Sequence, residues 1–550
     1  MTAKSRRRPA PRADARPAPR PPASSPVALV IAAIVFLTCA AYVMPFIPDD
    51  SFISFRYAEH LADGHGLTFN IGEEPVEAYS NLLWIVVCAA LYGAGLDLPA
   101  VTPYAGILLG LAALYVLWAL CRRRAPLWTQ QLLPLLAFAS CGPFIIYAVS
   151  GMETALFAFL LLLVVKCSED FVDAPGWRPL AALATAGFLV SLTRPEGVVV
   201  LPAALAFVAW ESRREEAFRR GLRSLAIAAA VFGVATMAYH AWRVSYFGEW
   251  LPTPFLSKGA EGSSLVTGWY KNLHRYFVNL LYFAPPQGYL FAAMLGLGIE
   301  GVRAARAAGV RAPGDRIALI LGLLLFAVYV NFVDWMPGMR YHAPLAAILV
   351  VPMSQLHRLL PVGAWESASA AHLRRFAALA AALLLAGGVN LSHLRHATAK
   401  MTESARLCYM PLAEWMRATM PPGSLLAMGD VGMVPYYSGL RTLDIHPESL
   451  TDTYIAQRAF SADYVMTKRP HVIALSVRGV YSARMDPLHW ELYKSEAFRI
   501  EYGFVGTVRN QWYEDRAYWI FVRSDLGLSE AQLRALPEGI GKQRRTRFDL

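Results

Sequence analysis

The sequence is poor in charge. Charged residues make up 17% of its 550 positions, against 56% hydrophobic. An average soluble domain is about 25% charged and roughly 45–50% apolar. This balance excludes an ordinary water-soluble enzyme. Six cysteines, at 39, 88, 121, 141, 167 and 408, form no framework. Five lie in or beside apolar segments, and Cys408 stands without a partner in the polar C-terminal part. Disulfide scaffolds and zinc modules are therefore excluded. The glycines include no G-x-G-x-x-G and no Walker lysine, which argues against a nucleotide-binding loop. No internal repeat is visible, and the ionisable residues gather near segment ends. A transporter built from repeated halves, with charges at mid-membrane, would look different.

Long apolar runs are what the chain does have. Residues 27–46, 101–120, 224–239, 317–333 and 376–390 approach the roughly 20 residues that cross a bilayer. They predict a polytopic α-helical membrane protein. Residues 1–26 are basic and proline-rich, with seven Lys and Arg against Asp14. Such a segment cannot bury a core and is expected to be a disordered cytoplasmic tail. No small-residue cleavage site precedes "FIPDD", so 27–46 reads as an uncleaved first helix.

Lys and Arg clusters mark the cytoplasmic side. They occur at 122–124, 213–223, 303–316 and 357–375. One threading satisfies them all: out through 27–46, back through 101–120, out through 131–149 and back through 154–166. It continues out through 179–193, back through 197–210 and out through 224–242. It then returns through 287–302, leaves through 317–333, returns through 341–356 and leaves through 374–391. That is about eleven spans, in a transmembrane domain over 27–391 with a first external loop over 47–100. Segment 81–95 is short for a span and reads as an interfacial or re-entrant helix of that loop. Residues 392–550 contain no run of spanning length. They read as an extracytoplasmic α/β domain, with strands at "HVIAL" and "WIFVRS" and a strand, tight loop and short helix at "SLLAMGDVGMVPYYSG".

This threading places the unusual polar residues on one face. Asp49 and Asp50 follow the first helix, and Arg56 lies just beyond them. Glu153 sits in "SGMET", Arg194 and Glu196 in "TRPEG", Lys258 in the loop 243–286, and Asp334 and Arg340 in "DWMPGMR". Each also has a plain structural reading. Acids suit a helix N-terminus, Arg194 could pair with Glu196, Asp334 could pair with Arg340, and Lys258 could be an exposed loop lysine. Charges near a bilayer nonetheless tend to face a cavity or a partner. Sugar transfer from a lipid phosphate to a hydroxyl would use such a set. A carboxylate can serve as general base. Arginine or lysine would meet the charge developing on a phosphate leaving group. A divalent metal held by carboxylates could replace them. No metal-ligand motif and no certain cofactor is evident.

The motifs "DDSFISFRYA", "SGMETALF", "SLTRPEG", "DWMPGMR" and "GDVGMVPYYSG" resemble the GT-C superfamily of integral-membrane glycosyltransferases. The subgroup most similar contains the terminal arabinofuranosyltransferase of mycobacterial cell walls. The resemblance covers residues 49 to about 450. It implies a polyprenyl-phosphate sugar donor and a glycan, lipid or protein acceptor in the cell envelope. It further implies an inverting reaction on the outer face of the bacterial cytoplasmic membrane, and no nucleic-acid partner. It makes Asp49 or Asp50 the base, and Arg194, Lys258 and Arg340 contacts to phosphate or sugar. A transporter or flippase, and a non-catalytic envelope assembly protein, are the competing readings.

Overall fold

The computed structural model describes residues 25–44, 46–213, 218–254, 285–329, 336, 339–359, 370–446, 449–457, 461–478, 484–485, 487–510 and 516–539. Helix α1 (Val27–Val43) leads directly into the first loop, which folds as α2 (Asp49–Ala62) and α3 (Leu82–Gly93). The bundle continues with α4 (Leu98–Arg124), α5 (Trp128–Ala139), α6 (Gly142–Ala148), α7 (Thr154–Asp173) and α8 (Trp177–Thr193). It is completed by α9 (Val200–Ser212), α10 (Phe218–Phe247), α11 (Pro285–Ala307), α12 (Pro313–Tyr329), α13 (Leu345–Leu349) and the long α14 (Ala370–Ser404).

Among the described residues, four helical stretches are long and apolar enough to cross a membrane: Leu98–Arg124, Pro195–Ser212, Leu222–Phe247 and Ala377–Thr419. The pair α5 and α6 makes a fifth if taken as one bent span. Others of the eleven expected spans are shorter, or carry charges near their ends.

Two expected spans are broken. Residues 131–149 form two helices bent by 62°. Pro143 lies in the first turn of α6, where its missing N–H costs no helical bond and favours a new start. Residues 341–356 likewise give only the five-residue α13 followed by a 3-10 turn from Pro352 to Leu359. Pro352 supplies no N–H to continue the α-helical ladder. The short helix expected over 81–95 is present as α3, 12 residues long.

The bundle has a basic end and an acidic end. Arg124, at the C-terminus of α4, is buried between Asp315 of α12, 2.7 Å away, and Glu169 of α7, 2.6 Å away. Gln355 donates to the other oxygen of Asp315 at 2.7 Å. Glu153 lies at the opposite end of α7, whose 20 residues span about 30 Å. Arg124→Met would leave two buried carboxylates facing each other. It is expected to lower stability by about 3–5 kcal/mol, the usual cost of removing one member of a buried ion pair. Thermal unfolding in detergent measures this.

Helix α14 runs past residue 392 without a break. It passes through a π turn over Ala405–Tyr409 into α15 (Met410–Thr419). Pro411, near the start of α15, cannot donate to the preceding turn, which accounts for the irregularity. The chain then forms β1 (Leu425–Met428), α16 (Met433–Ser438), β2 (Arg441–Asp444), β3 (Val472–Arg478), β4 (Arg484–Met485), β5 (Tyr502–Asn510) and β6 (Arg516–Arg523). The sheet order is β2-β1-β3-β6-β5, with β4 on β3. β1 pairs in parallel with β2 and β3, while β3–β6 and β5–β6 are antiparallel. Both faces of the central strands are buried. Leu426 and Met428 join the core of the helical bundle, while Leu425 and Ala427 join a separate core on the far face. This is the two-residue alternation of a strand. It seats the sheet on the acidic end of the bundle.

Candidate active site

The acidic end is assembled from chain segments far apart in sequence. Pro48 is extended and begins α2, so Asp49 and Asp50 occupy its first turn. Carboxylates are favoured there by the exposed N–H groups. The two acids then diverge. Asp49 Oδ2 accepts the Gly432 N–H at 3.0 Å, and its Oδ1 accepts the Met433 N–H at 2.6 Å. Asp50 Oδ2 accepts from Arg340 Nη1 at 3.0 Å, and its side chain remains 30% exposed.

From Asp50 a chain of charge runs inward. Arg340 Nη2 reaches Glu153 Oε1 at 3.4 Å. The same oxygen accepts from Arg194 Nη1 at 2.8 Å, and Arg194 Nε donates to Glu196 Oε1 at 2.5 Å. Tyr329 donates to that Glu196 oxygen at 3.0 Å. Asn81 Nδ2 donates to Glu153 Oε2 at 3.0 Å. Glu153 is 2% exposed and Arg194 4%. Burial alone would lift the Glu153 pKa, but Arg340 and Arg194 outweigh it and hold the carboxyl below its ordinary value. Among the described residues, the buried Nε of Arg340 has no hydrogen-bond partner. Met339, just before it, has φ 59°, a left-handed conformation uncommon for a side-chain-bearing residue. Arg340 therefore follows a strained backbone position.

The sheet domain closes the other side. Asp430 lies in the "GDVG" loop between β1 and α16. It accepts from Arg516 at 3.0 Å and from the Tyr518 hydroxyl. Gly432 is needed for close approach, since a Cβ there would lie 2.0 Å from the Asp49 carbonyl oxygen. Desolvation, then repulsion from Asp430 and more weakly from Asp50, raises the Asp49 pKa from 3.8 to about 7, against the pull of the two N–H groups. The folded state therefore holds this proton more tightly than the unfolded state. The Asp49 contribution to stability is fullest below pH 3.8 and is lost as pH rises toward about 7. Asp49→Asn should remove this part of the pH dependence. The gap between variant and wild-type melting temperatures is expected to change across pH 4–7 and to level off above it.

The structure gives the expected site residues their partners. Arg56 bonds backbone carbonyls rather than a carboxylate. It is buried and donates through Nε to Phe69 O at 2.7 Å, through Nη1 to Pro435 O at 2.7 Å and through Nη2 to Leu440 O at 2.8 Å. These bonds fasten the first loop to the sheet domain. Asn70, bonded both ways to Thr442, assists it. Arg194 and Arg340, which the resemblance makes contacts to phosphate or sugar, both pair with carboxylates. Lys258 and Asp334 lie outside the described residues. Asp49, Asp50, Glu153, Arg194, Glu196 and Arg340 do come together. Sequence reasoning missed Asn81, Tyr329 and the clamp of "GDVG" on Asp49. The glycines of that loop were the available signal, but nothing tied them to an aspartate some 380 positions earlier. Among the described residues, no group of three or more His, Cys, Asp or Glu side chains is placed to hold a metal ion.

No curated protein matches the chain in sequence. Residues 396–521 match a family described as a domain of unknown function, DUF8728. Two solved structures of ArnT from Cupriavidus metallidurans are similar over most of both chains. The apo form has a TM-score of 0.58 at 16% identity, and the form bound to undecaprenyl phosphate 0.59 at 15%. In both cases 90% of this chain and 97% of the other are covered. Arabinofuranosyltransferase AftD from Mycobacteria aligns with 91% of this chain and 40% of its own length, at 15% identity and a TM-score of 0.47. The chain shares the fold of ArnT over 90% of its length.

Proposed function

We propose that the chain is an inverting glycosyltransferase of the GT-C type, using a polyprenyl-phosphate sugar as donor and a hydroxyl of an envelope glycan, lipid or protein as acceptor. The observation that carries this reading is the arrangement of Asp50. It is the open member of the acidic pair, held against an arginine, in a fold shared with a protein that binds undecaprenyl phosphate. Asp50 takes the proton from the acceptor hydroxyl. The freed oxygen attacks the anomeric carbon as the bond from that carbon to the phosphate oxygen breaks, and the electron pair leaves with the phosphate. A single displacement of this kind inverts the anomeric centre.

Arg340 is the phosphate contact in this scheme. The donor phosphate competes with Asp50 for its guanidinium. Taking up the donor thus loosens the ion pair that restrains the base. Glu153, Arg194 and Glu196 hold Arg340 and the loops in register. By the GT-C resemblance, Lys258 is a second phosphate contact, and the sugar is a pentose such as arabinofuranose or a hexose. The same reading gives eleven spans in the cytoplasmic membrane, with the N-terminus inside and the sheet domain outside. The raised pKa of Asp49 suits a base and gives a second candidate, but both its oxygens already accept backbone N–H groups.

Binding of undecaprenyl phosphate to the purified chain tests the donor side. Arg340→Ala is expected to weaken it by about tenfold or more, the scale of a lost charge-assisted hydrogen bond. Undiminished binding would remove Arg340 from the phosphate site.

A further inference from the structure

A second cleft lies away from the acidic site and shares no residue with it. Its volume is about 360 Å³, and it is formed where the end of α1 meets one face of α14 and the following π turn. Tyr42, Arg395, Thr398, Thr402, Glu403 and Arg406 line it. The five from α14 and the π turn follow i, i+3, i+7, i+8 and i+11 spacing, so they share one helix face. The Arg395 guanidinium lies over the Tyr42 ring, 4.1 Å from its centroid. Neither Arg406 nor Glu403 forms an ion pair among the described residues.

Exposed apolar side chains lie on both helices on the N-terminal side of this cleft. On α1, Val27, Val30, Ile34 and Leu37 are all exposed, and on α14 so are Leu379, Leu384, Leu385 and Val389. In a helix that crosses a bilayer, such faces meet acyl chains. The cleft therefore sets a polar head site at the end of α1 beside exposed apolar surface on both helices. Two arginines suit a phosphodiester, and Arg395 is already oriented by its ring. A carboxylate beside them is a poor neighbour for a bare phosphate but a good acceptor for a hydroxyl. We propose that this cleft binds a diacyl phospholipid with an anionic, hydroxyl-bearing headgroup, of the phosphatidylglycerol kind. Arg395 and Arg406 hold the phosphate, Glu403 accepts from the headgroup hydroxyls, and the acyl chains lie along α1 and α14.

Native mass spectrometry of the purified full chain, titrated with phosphatidylglycerol or phosphatidylcholine, tests this. Phosphatidylglycerol is expected to bind more tightly than phosphatidylcholine. The double variant Arg395→Ala/Arg406→Ala is expected to weaken phosphatidylglycerol binding by about tenfold or more. Arg406→Gln changes an exposed side chain with no ion pair, so folding tolerates it, and it should give a smaller loss in the same direction. Asp50→Asn should bind the phospholipid as wild type does, which separates this site from the catalytic reading. Equal binding by wild type and both arginine variants would overturn the proposal. So would displacement of phosphatidylglycerol by inorganic phosphate, which would mark a free-anion site. Undecaprenyl phosphate binding there more tightly, with the same arginine dependence, would make the cleft a carrier-lipid site instead.

Discussion

Asp50→Asn is expected to slow sugar transfer by about 10²–10⁴-fold, the range a positioned general base contributes, while the chain still inserts and folds. The two parts of this expectation have different origins. The loss of rate follows because asparagine cannot accept a proton at neutral pH, and Asp50 is the member of the pair that keeps an open face. Folding survives because the side chains have the same shape. The lost ion pair with Arg340 is part-exposed, where such contacts contribute only about 0–1 kcal/mol. The charge lost from the first turn of α2 costs about 0.3–1 kcal/mol more. Asp49→Asn behaves differently. It disturbs the seat on Gly432 and Met433, so its effect is expected in the melting curve before the rate constant. Rates measured at saturating donor, beside melting curves for both variants, separate the two aspartates.

Arg194→Met is expected to produce the largest loss of stability in the site, about 3–5 kcal/mol, as for other buried pairs that lose one member. Arg194 is 4% exposed and bonds Glu153 and Glu196 together. Without it, Glu153 is left with the longer 3.4 Å contact to Arg340 and the amide of Asn81. Two carboxylates then repel across a low-dielectric gap. The companion change Glu196→Gln removes one of them, so Arg194→Met/Glu196→Gln should regain part of the loss. Thermal unfolding of the two single variants and the double variant forms a closed cycle. A double variant that simply adds the single losses would mean that Arg194 and Glu196 are not coupled.

The helices were legible because their signal is local. Apolar runs without charge, bounded by arginines, gave α4 and α10 directly, and the short α3 was marked by its length. Breaks at Pro143 and Pro352 were visible as prolines, yet the reading carried helices through them because hydropathy alone does not see a missing N–H. The strand–loop–helix at "GDVG" was legible from its glycines, as were the β3 and β6 strands from their apolar runs. The gathering of Asp50, Glu153, Arg194 and Arg340 was anticipated from the threading, which put all of them at one level. What the threading could not supply was who pairs with whom. Arg56 illustrates the limit. An arginine near two aspartates reads as a substrate contact, and only the approach of Pro435 and Leu440 from the sheet domain shows where its guanidinium bonds. Asp49 is similar, since its partners are backbone amides, which leave no mark on the sequence.

The most direct test of the account is a transfer assay with purified chain in proteoliposomes, using a panel of synthetic polyprenyl-phosphate pentoses and hexoses and an envelope extract as acceptor. The account predicts transfer from at least one donor, an inverted anomeric configuration in the product, and loss of that transfer in Asp50→Asn. A product with retained configuration, or full activity in Asp50→Asn, would contradict it.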